Sequence, residues 1–193
     1  MSEAEIRERI RNALSPYRFQ HVEGVVQTAE RLSIQYGVDA KQARLAAWLH
    51  DFAREWPPEK LQAYSKPLQL PEEYRSMPEL LHGPIVAHYL EEWFQIRDEE
   101  IANAIYYHTT GRPQMSIFEK VICLADAIEP GRVYPGVEEC RILAQESLEH
   151  ALAVQFDGTI RFLLDRKKEI LPLTVAARNE FWRQVGVMQE NRR

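Results

Sequence analysis

The 193-residue sequence has only two cysteines, Cys123 and Cys140, and they lie apart without the C-x-x-C spacing of a thiolate zinc site. No disulfide framework is indicated, and both are interpreted as reduced packing residues. The sequence also lacks an apolar run long enough to span a bilayer, and its charged N-terminus does not resemble a signal peptide. These absences predict a cytoplasmic protein with no membrane partner.

Basic residues are not in excess over acidic residues. Lysine and arginine total 24 against 29 acidic residues, which gives a net charge of -5. This balance argues against polymeric nucleic acid as a partner, although a local group of arginines could still bind a small phosphate ligand. The chain is 45% hydrophobic and has the length of one domain, so a single domain over residues 1–193 is expected.

Strand signals are scarce, since no polar–apolar alternation or hairpin turn motif persists. Apolar residues recur at helical spacing instead, and two capping-box patterns, Ser2 with Glu5 and Ser116 with Glu119, mark helix starts. The predicted helices are about 2–14, 19–36, 40–56, 84–94, 98–111, 116–130, 137–144, 148–169 and 174–188. The predicted fold class is all-α. The proline-punctuated segment 59–77 is predicted to carry at most a short helix and to form a flap.

One predicted helix contains an anomaly. In LAAWLHDFAREW, residues 45–56, His50 and Asp51 stand where apolar side chains are expected. Burying such groups without partners costs several kcal/mol. A purely structural explanation is that His50 hydrogen-bonds a neighbouring helix and Asp51 pairs with Arg54 one turn later. An adjacent histidine and aspartate also arise often by chance, so the dipeptide alone is weak evidence for a functional site.

The same anomaly recurs elsewhere in the chain. Asp126 interrupts the apolar run VICLADAI, and the nearest cations, Lys120 and Arg132, lie outside that run. Three further histidines come from three different predicted helices or helix ends: His21, His82 and His108. The last two histidines, His88 and His150, are interpreted as solvent-facing. The recurrence favours a shared site over isolated structural contacts.

Histidine and carboxylate together suit first-row transition metals, whereas magnesium and calcium prefer all-oxygen ligands. Four histidines and two aspartates exceed what one tetrahedral ion needs. A pair of ions bridged by a carboxylate and by water would use six such ligands and leave positions for substrate. The residue set therefore predicts a metal centre.

The order of these residues along the chain resembles the HD-domain superfamily of metal-dependent phosphohydrolases, in its subset with a binuclear centre. The flanking sequences narrow the resemblance to the YqeK family, whose members are symmetrical bis(5'-nucleosyl)-tetraphosphatases. They read RFQHVEGVVQTAERLSIQYG, AAWLHDFARE, LLHGPIVA and YYHTTGRPQMSIFEKVICLADAIEPGR. The resemblance implies an HD-domain helical bundle with its core at about 18–132 and additional C-terminal helices at about 137–188.

What the resemblance implies is an iron-containing hydrolase that cuts diadenosine tetraphosphate into two molecules of ADP by attack of metal-bound hydroxide on a phosphoanhydride. It implies two divalent ions, with manganese or cobalt as alternatives to iron. One ion is assigned to His21, His50, Asp51 and Asp126. The other is assigned to His82, His108 and the bridging Asp51, which is also assigned a catalytic role.

Arginines near these ligands are candidates for phosphate contact. Arg54 stands where the family resemblance leads one to expect lysine, so the charge is kept but the reach differs. Arg54, also assigned a catalytic role, and Arg132 are predicted to contact phosphate rather than face solvent alone. Arg18 either contacts phosphate or anchors the region of Asp126. Three residues either bind the polyphosphate or ribose or simply end their helix: Thr109, Thr110 and Gly111.

Other functions remain open at this stage. The same ligands would serve an HD-domain phosphohydrolase that acts on mononucleotides, which is the main alternative. A histidine-rich diiron oxygenase and a nucleotide sensor without turnover are weaker alternatives. Exposed C-terminal helices could pair in a homodimer.

Overall fold

Helices account for all the regular secondary structure of the part of the chain described by this computed structural model, which is residues 1–190 without the side chains of Arg75 and Gln189. The α-helices are α1 (Glu3–Ala13), α2 (Pro16–Tyr36), α3 (Ala40–Leu49), α4 (Pro58–Ser65), α5 (Glu73–Ser76), α6 (His82–His88), α7 (Leu90–Phe94), α8 (Glu99–Tyr107), α9 (Ile117–Ile128), α10 (Val137–Leu143), α11 (Leu148–Asp165) and α12 (Pro172–Glu190). Two short 3-10 helices span Lys66–Leu68 and Pro78–Leu80. The prediction of an all-α fold is confirmed.

Side-chain caps set several helix starts. Ser2 and Ser116 each form the predicted capping box at the start of α1 and α9, and Asp39 accepts a hydrogen bond from the Gln42 N–H at the start of α3. Gly37 ends α2 in the left-handed region, with φ +71°. These local signals explain why helix starts follow the sequence closely.

The core places α2 at the centre of the molecule. This helix packs against α3 and α9, while α8 contacts α3, α6 and α9. Buried apolar side chains from Ile6 in α1 to Val185 in α12 belong to one contact cluster. The C-terminal helices therefore share the core of the helices that carry the predicted ligands. No helix in the described part of the chain is long and apolar enough to cross a membrane.

Several helix bounds differ from those predicted. The helix expected over 40–56 ends at Leu49, and the backbone continues in turns with i to i+3 hydrogen bonds, such as Arg54 N–H to Asp51 O at 2.9 Å. The helix expected over 84–94 is divided into α6 and α7 at Tyr89. Segment 59–77 contains more helix than predicted, because α4, α5 and a 3-10 helix occupy it and bury Leu61 and Tyr74.

Candidate metal centre

Six polar side chains converge at the ends and central faces of five helices. His50 and Asp51 follow the last residue of α3, where the change to i to i+3 hydrogen bonds places them beyond the regular helix. His82 begins α6 and His108 directly follows α8, while the other two lie within helices, His21 in α2 and Asp126 in α9. The structure thus brings together all six residues that the sequence predicted as metal ligands.

Asp51 lies between two groups of imidazoles. Its Oδ2 atom is 3.7 Å from His21 Nε2 and 3.6 Å from His50 Nε2. Its Oδ1 atom is 3.3 Å from His82 Nε2 and 3.9 Å from His108 Nε2. The two oxygens of this carboxylate therefore face different histidine pairs, as a bridging ligand would.

Asp126 completes the first of these groups. Its Oδ1 atom is 3.0 Å from His21 Nε2 and 3.9 Å from His50 Nε2. The ligand atoms of His21, His50 and Asp126 all lie within 4.8 Å of one another. A second such set contains His50, Asp51 and His108. Because His50 belongs to both sets, the division of ligands between two ions stays a prediction.

Three of the imidazoles are oriented by backbone carbonyls three residues earlier. The Nδ1–H group of His50 donates to Ala47 O at 2.7 Å, and that of His108 donates to Ile105 O at 2.7 Å. His82 does the same to Glu79 O at 2.9 Å. A carbonyl oxygen only accepts, so the proton sits on Nδ1 and the lone pair of Nε2 points into the site.

His21 is oriented differently, by a carboxylate. Its Nδ1 atom lies 3.0 Å from Oε1 of Glu129, a buried residue for which the sequence patterns predicted no role. Glu129 follows Asp126 by three positions and so lies on the same side of the helix end. The three-residue spacing from Asp126 is the sequence feature that points to Glu129 as part of the site. A glutamate before Pro130 and Gly131 is, however, also common at an ordinary helix end.

Both aspartates are charged acceptors at neutral pH. Burial raises the pKa of Asp51, but the imidazoles of His50 and His82 outweigh it and hold that pKa well below its usual range. Burial opposes ionisation of Asp126 as well, and Arg132 and the neighbouring imidazoles hold its pKa well below the usual range. The site therefore places two ionised carboxylates among the imidazole ligands.

Burial keeps most of the imidazoles neutral. Burial lowers the pKa of His108 to about 4, and it also lowers the pKa values of His50 and His82. Neutral imidazole is the form that binds a metal ion. His21 differs, because the hydrogen bond and charge of Asp126 outweigh the effect of burial and raise its pKa.

The donor set fits a divalent transition metal. Among the described residues, His50 Nε2 is buried with no hydrogen-bond partner, although two carboxylates lie within 4 Å. The Nε2 atoms of His82 and His108 approach to 3.0 Å. A cation would satisfy all of these lone pairs, and neutral imidazole with ionised carboxylate is the ligand chemistry that such a cation takes.

Comparison with known families agrees with this geometry. Residues 18–131 match the HD domain family. The chain belongs to that family. The family resemblance inferred from the sequence motifs is confirmed, and membership implies that the chain binds a divalent metal.

Relatives cover most of the chain. A protein of Bacillus subtilis named "Bis(5'-nucleosyl)-tetraphosphatase, symmetrical" is 37% identical over 171 residues, which cover 88% of this chain and 92% of the relative. A protein of the same name from Halalkalibacterium halodurans is 40% identical over 168 residues, covering 86% and 90%. A crystal structure from Clostridium acetobutylicum, of a "predicted HD superfamily hydrolase involved in NAD metabolism", has a TM-score of 0.91 and 39% identity over 95% of this chain and 98% of its own.

Arginines of this HD domain surround the predicted ligands. Arg18 Nη1 lies 3.0 Å from Asp51 Oδ2, and Arg132 pairs with the Asp126 carboxylate and donates to its backbone carbonyl at 2.9 Å. Both arginines line a cavity of about 540 Å³ beside His21. Arg18 was predicted either to contact phosphate or to anchor the region of Asp126; it pairs with Asp51 instead of Asp126, and phosphate contact stays a prediction.

Arg54 does not pair with Asp51, so that structural explanation of the HD dipeptide is wrong. Its Nη1 atom instead donates to Glu79 O at 3.0 Å, the same carbonyl that accepts from His82. The turn after α3 separates the two side chains, since the regular helix needed for an i, i+3 pair ends at Leu49.

The three residues that follow His108 after the end of α8 differ in their burial. Thr109 is exposed, and its Oγ1 atom lies 2.9 Å from His108 Nε2. Thr110 is buried and donates to Gly111 O at 3.0 Å. Gly111 is buried too, and a Cβ added there would lie 2.7 Å from the Phe156 ring. Substrate binding by these three residues stays a prediction, and the geometry favours Thr109 among them.

The two remaining histidines lie outside the site. His88 is exposed, as predicted. The prediction for His150 is wrong, because this side chain is half-buried and its ring packs edge-on against Trp182 with centroids 5.8 Å apart. Its position near the start of α11 turns it toward α12 rather than toward solvent.

Proposed function

We propose that this chain is a metal-dependent hydrolase that cleaves diadenosine tetraphosphate symmetrically into two molecules of ADP. The observation that carries the proposal is the position of Asp51, whose two oxygens face separate histidine pairs. The names of the relatives from Bacillus subtilis and Halalkalibacterium halodurans support the substrate. The chain is proposed to be one HD-type domain, since its buried residues form one core from α1 to α12.

The metal centre is proposed to hold two divalent ions, iron in the first place and manganese or cobalt as alternatives. Their ligands are His21, His50, Asp51, His82, His108 and Asp126. Bound ions of this kind supply an activated water at neutral pH and neutralise charge on phosphoryl oxygens. The two oxygens of Asp51 support a bridging role for this residue.

Residues of the chain itself are proposed to orient the polyphosphate. Arg18 and Arg132 face the cavity beside His21, where their guanidinium groups can donate to phosphate oxygens. Arg54 and the exposed Thr109 lie beside His82 and His108 and are proposed to donate on that side. Thr110 and Gly111 are proposed to support this edge of the site from the interior.

Symmetric cleavage breaks the central anhydride of the tetraphosphate. A water oxygen forms a new bond to the second phosphorus, and the bond from that phosphorus to the central bridging oxygen breaks. The third phosphate leaves with that bridging oxygen, so each product is ADP, and the two hydrogens of the water are released as two protons when both ADP molecules are fully ionised. In ¹⁸O-labelled water, one of the two ADP molecules acquires one labelled oxygen.

The test is product identity under defined metal loading. Purified protein loaded with iron or manganese is incubated with diadenosine tetraphosphate in labelled water, and the nucleotides are separated by anion-exchange chromatography and analysed by mass spectrometry. We expect ADP as the sole nucleotide product, with one ¹⁸O atom incorporated for each pair of ADP molecules formed. Formation of AMP and ATP, or no turnover by metal-loaded protein, would overturn the proposal.

Two comparisons sharpen this experiment. Asp51→Ala is expected to lose bound metal and turnover together, since its carboxylate faces both histidine pairs; full activity with full metal content in this variant contradicts the site assignment. Hydrolysis rates are also measured on deoxynucleoside monophosphates and nucleoside triphosphates. Rates well below that on diadenosine tetraphosphate would exclude a phosphohydrolase that acts on mononucleotides.

A further inference from the structure

We infer that Glu129 is a positioning residue that fixes His21 as a metal ligand, and that Gly24 provides the space in which its carboxylate reaches the imidazole. The inference rests on the metal centre of the proposed function. It concerns a contact outside the six predicted ligands and assigns roles to two residues that the proposed reaction leaves unused.

The Glu129 carboxylate is held on both of its oxygens. Oε1 lies 3.0 Å from His21 Nδ1, and Oε2 accepts a hydrogen bond from the Gly131 N–H at 2.5 Å. The residue is 4% exposed, and its backbone carbonyl accepts from Arg141 at 2.7 Å. A carboxylate fixed in this way accepts from the imidazole in one orientation, which directs the His21 Nε2 atom toward Asp51 and Asp126.

The position of His21 in the middle of a helix explains why it needs such a partner. Ala47 and Ile105 lie in the last turns of α3 and α8, where carbonyls lack intrahelical donors and can accept from His50 and His108. His21 lies inside α2, where the carbonyls of the preceding turn are taken by the helix itself. A side chain from another element must therefore orient this ring.

Gly24 makes room for that side chain. It lies three residues after His21 on the same face of α2. A Cβ added at Gly24 would be 2.5 Å from Glu129 Oε2, closer than Cβ contacts occur, and 3.2 Å from its Cδ. A side chain at this position would force the carboxylate to shift from the place where it contacts the imidazole.

The charge of Glu129 also matters to the ligand. A carboxylate that accepts from Nδ1–H increases the electron density available at Nε2, and loss of such partners typically lowers metal affinity about 10–100-fold. The other three histidines donate to neutral carbonyls. We therefore expect Glu129 to affect the ion that His21 holds more than the ion held by His82 and His108.

The experiment measures Mn²⁺ affinity and stoichiometry of the purified, metal-free protein by electron paramagnetic resonance of the free ion. Glu129→Gln, which keeps size and a hydrogen-bond acceptor but removes the charge, is expected to weaken binding about tenfold, and Glu129→Leu by up to about 100-fold. Gly24→Ala keeps the carboxylate but displaces it, and is expected to weaken binding in the same direction. Gly158→Ala is the matched control, since a Cβ there meets no atom within 4 Å.

A double-mutant cycle separates positioning from a general charge effect. If Glu129 acts through His21, Glu129→Gln should add no further loss of affinity in a His21→Ala background. Losses that multiply in the double variant, or Mn²⁺ binding by Glu129→Leu and Gly24→Ala equal to that of the wild type, would overturn the inference. Circular dichroism confirms that each variant is folded, and Glu129→Gln serves as the conservative variant should Glu129→Leu fail to fold.

Failure of the inference differs from failure of the proposed function. If the wild type binds Mn²⁺ but does not cleave diadenosine tetraphosphate, while Glu129→Gln still weakens binding only in the presence of His21, the function is wrong and the positioning role stands. If the wild type cleaves the dinucleotide and the Glu129 and Gly24 variants bind Mn²⁺ normally, the function stands and the positioning role is wrong.

Discussion

His82 and His108 come from different helices, yet their Nε2 atoms lie 3.0 Å apart. Each ring donates its Nδ1–H to a backbone carbonyl, so two lone pairs face each other across this distance. The approach depends on Gly83, where an added Cβ would lie 2.8 Å from Ile105 O and 3.3 Å from His108 Cε1. The separation of α6 and α8 therefore sets the geometry of this ligand pair.

Gly83→Ala is expected to move α6 away from the backbone of α8 and to separate the two rings. We expect Mn²⁺ affinity to fall about tenfold or more, because a displaced ligand costs at least as much as a lost orienting partner. The free energy of unfolding should fall by about 1–3 kcal/mol from overpacking. Electron paramagnetic resonance of free Mn²⁺ and urea denaturation measure the two effects. Unchanged affinity in a destabilised variant would show that the helix spacing does not control the pair.

The sequence predicted the six ligands because each one interrupts an apolar helical pattern or a helix end, and such interruptions need partners. Asp126 in VICLADAI is the clearest case, since nothing on its own helix face satisfies it. Glu129 was not predicted because it stands at the end of its helix, before Pro130 and Gly131, where a glutamate needs no buried partner, although its partner His21 lies 108 residues earlier in the chain.

Local backbone geometry was harder to predict than the convergence of side chains. The periodicity through His50 and Asp51 indicated one continuous helix, but the structure replaces it with turns after Leu49. Such a change depends on packing against α2 and α8 rather than on helix propensity. The helix content of the proline-rich segment 59–77 was predicted too low for the same reason, since burial of Leu61 and Tyr74 stabilises short helices there.

Arg54 offers a test of phosphate contact that is separate from metal binding. Its Nη1 atom donates to Glu79 O, which leaves its other N–H groups for phosphate oxygens. Arg54→Lys keeps the positive charge and restores the residue expected from the family resemblance, so KM for diadenosine tetraphosphate should change little, whereas Arg54→Ala should lower kcat/KM by about 10–100-fold. Mn²⁺ affinity should change little. Steady-state kinetics at saturating metal measure these effects.

The matched control for Arg54 is Arg97→Ala, which removes an arginine whose side chain is 88% exposed. Its kinetics should equal those of the wild type. An Arg54→Ala variant with normal KM and kcat would rule out substrate contact by this residue and leave it only its hydrogen bond to Glu79 O.

A buried ion pair away from the metal centre joins the C-terminal helices to the core. Lys120 Nζ in α9 lies 2.7 Å from Glu149 Oε1 in α11 and also donates to Gln184 Oε1 in α12 at 3.3 Å. Both charged side chains are largely buried. Removal of Lys120 would leave the Glu149 carboxylate unpaired, so Lys120→Met should lower the free energy of unfolding at neutral pH by about 3–5 kcal/mol.

The pH dependence of this pair follows from Glu149. Burial raises the pKa of its carboxyl, but the hydrogen bond from Lys120 outweighs burial and the pKa falls below the ordinary value of 4.5. The stabilisation is therefore fully present above that value and is lost as pH falls through the folded-state pKa. The difference in unfolding free energy between the wild type and Glu149→Gln should be largest near pH 7 and shrink as the pH falls below 4.5. Urea denaturation across this range measures it, with exposed Glu139→Gln as control; a difference that grows on acidification would contradict the pairing.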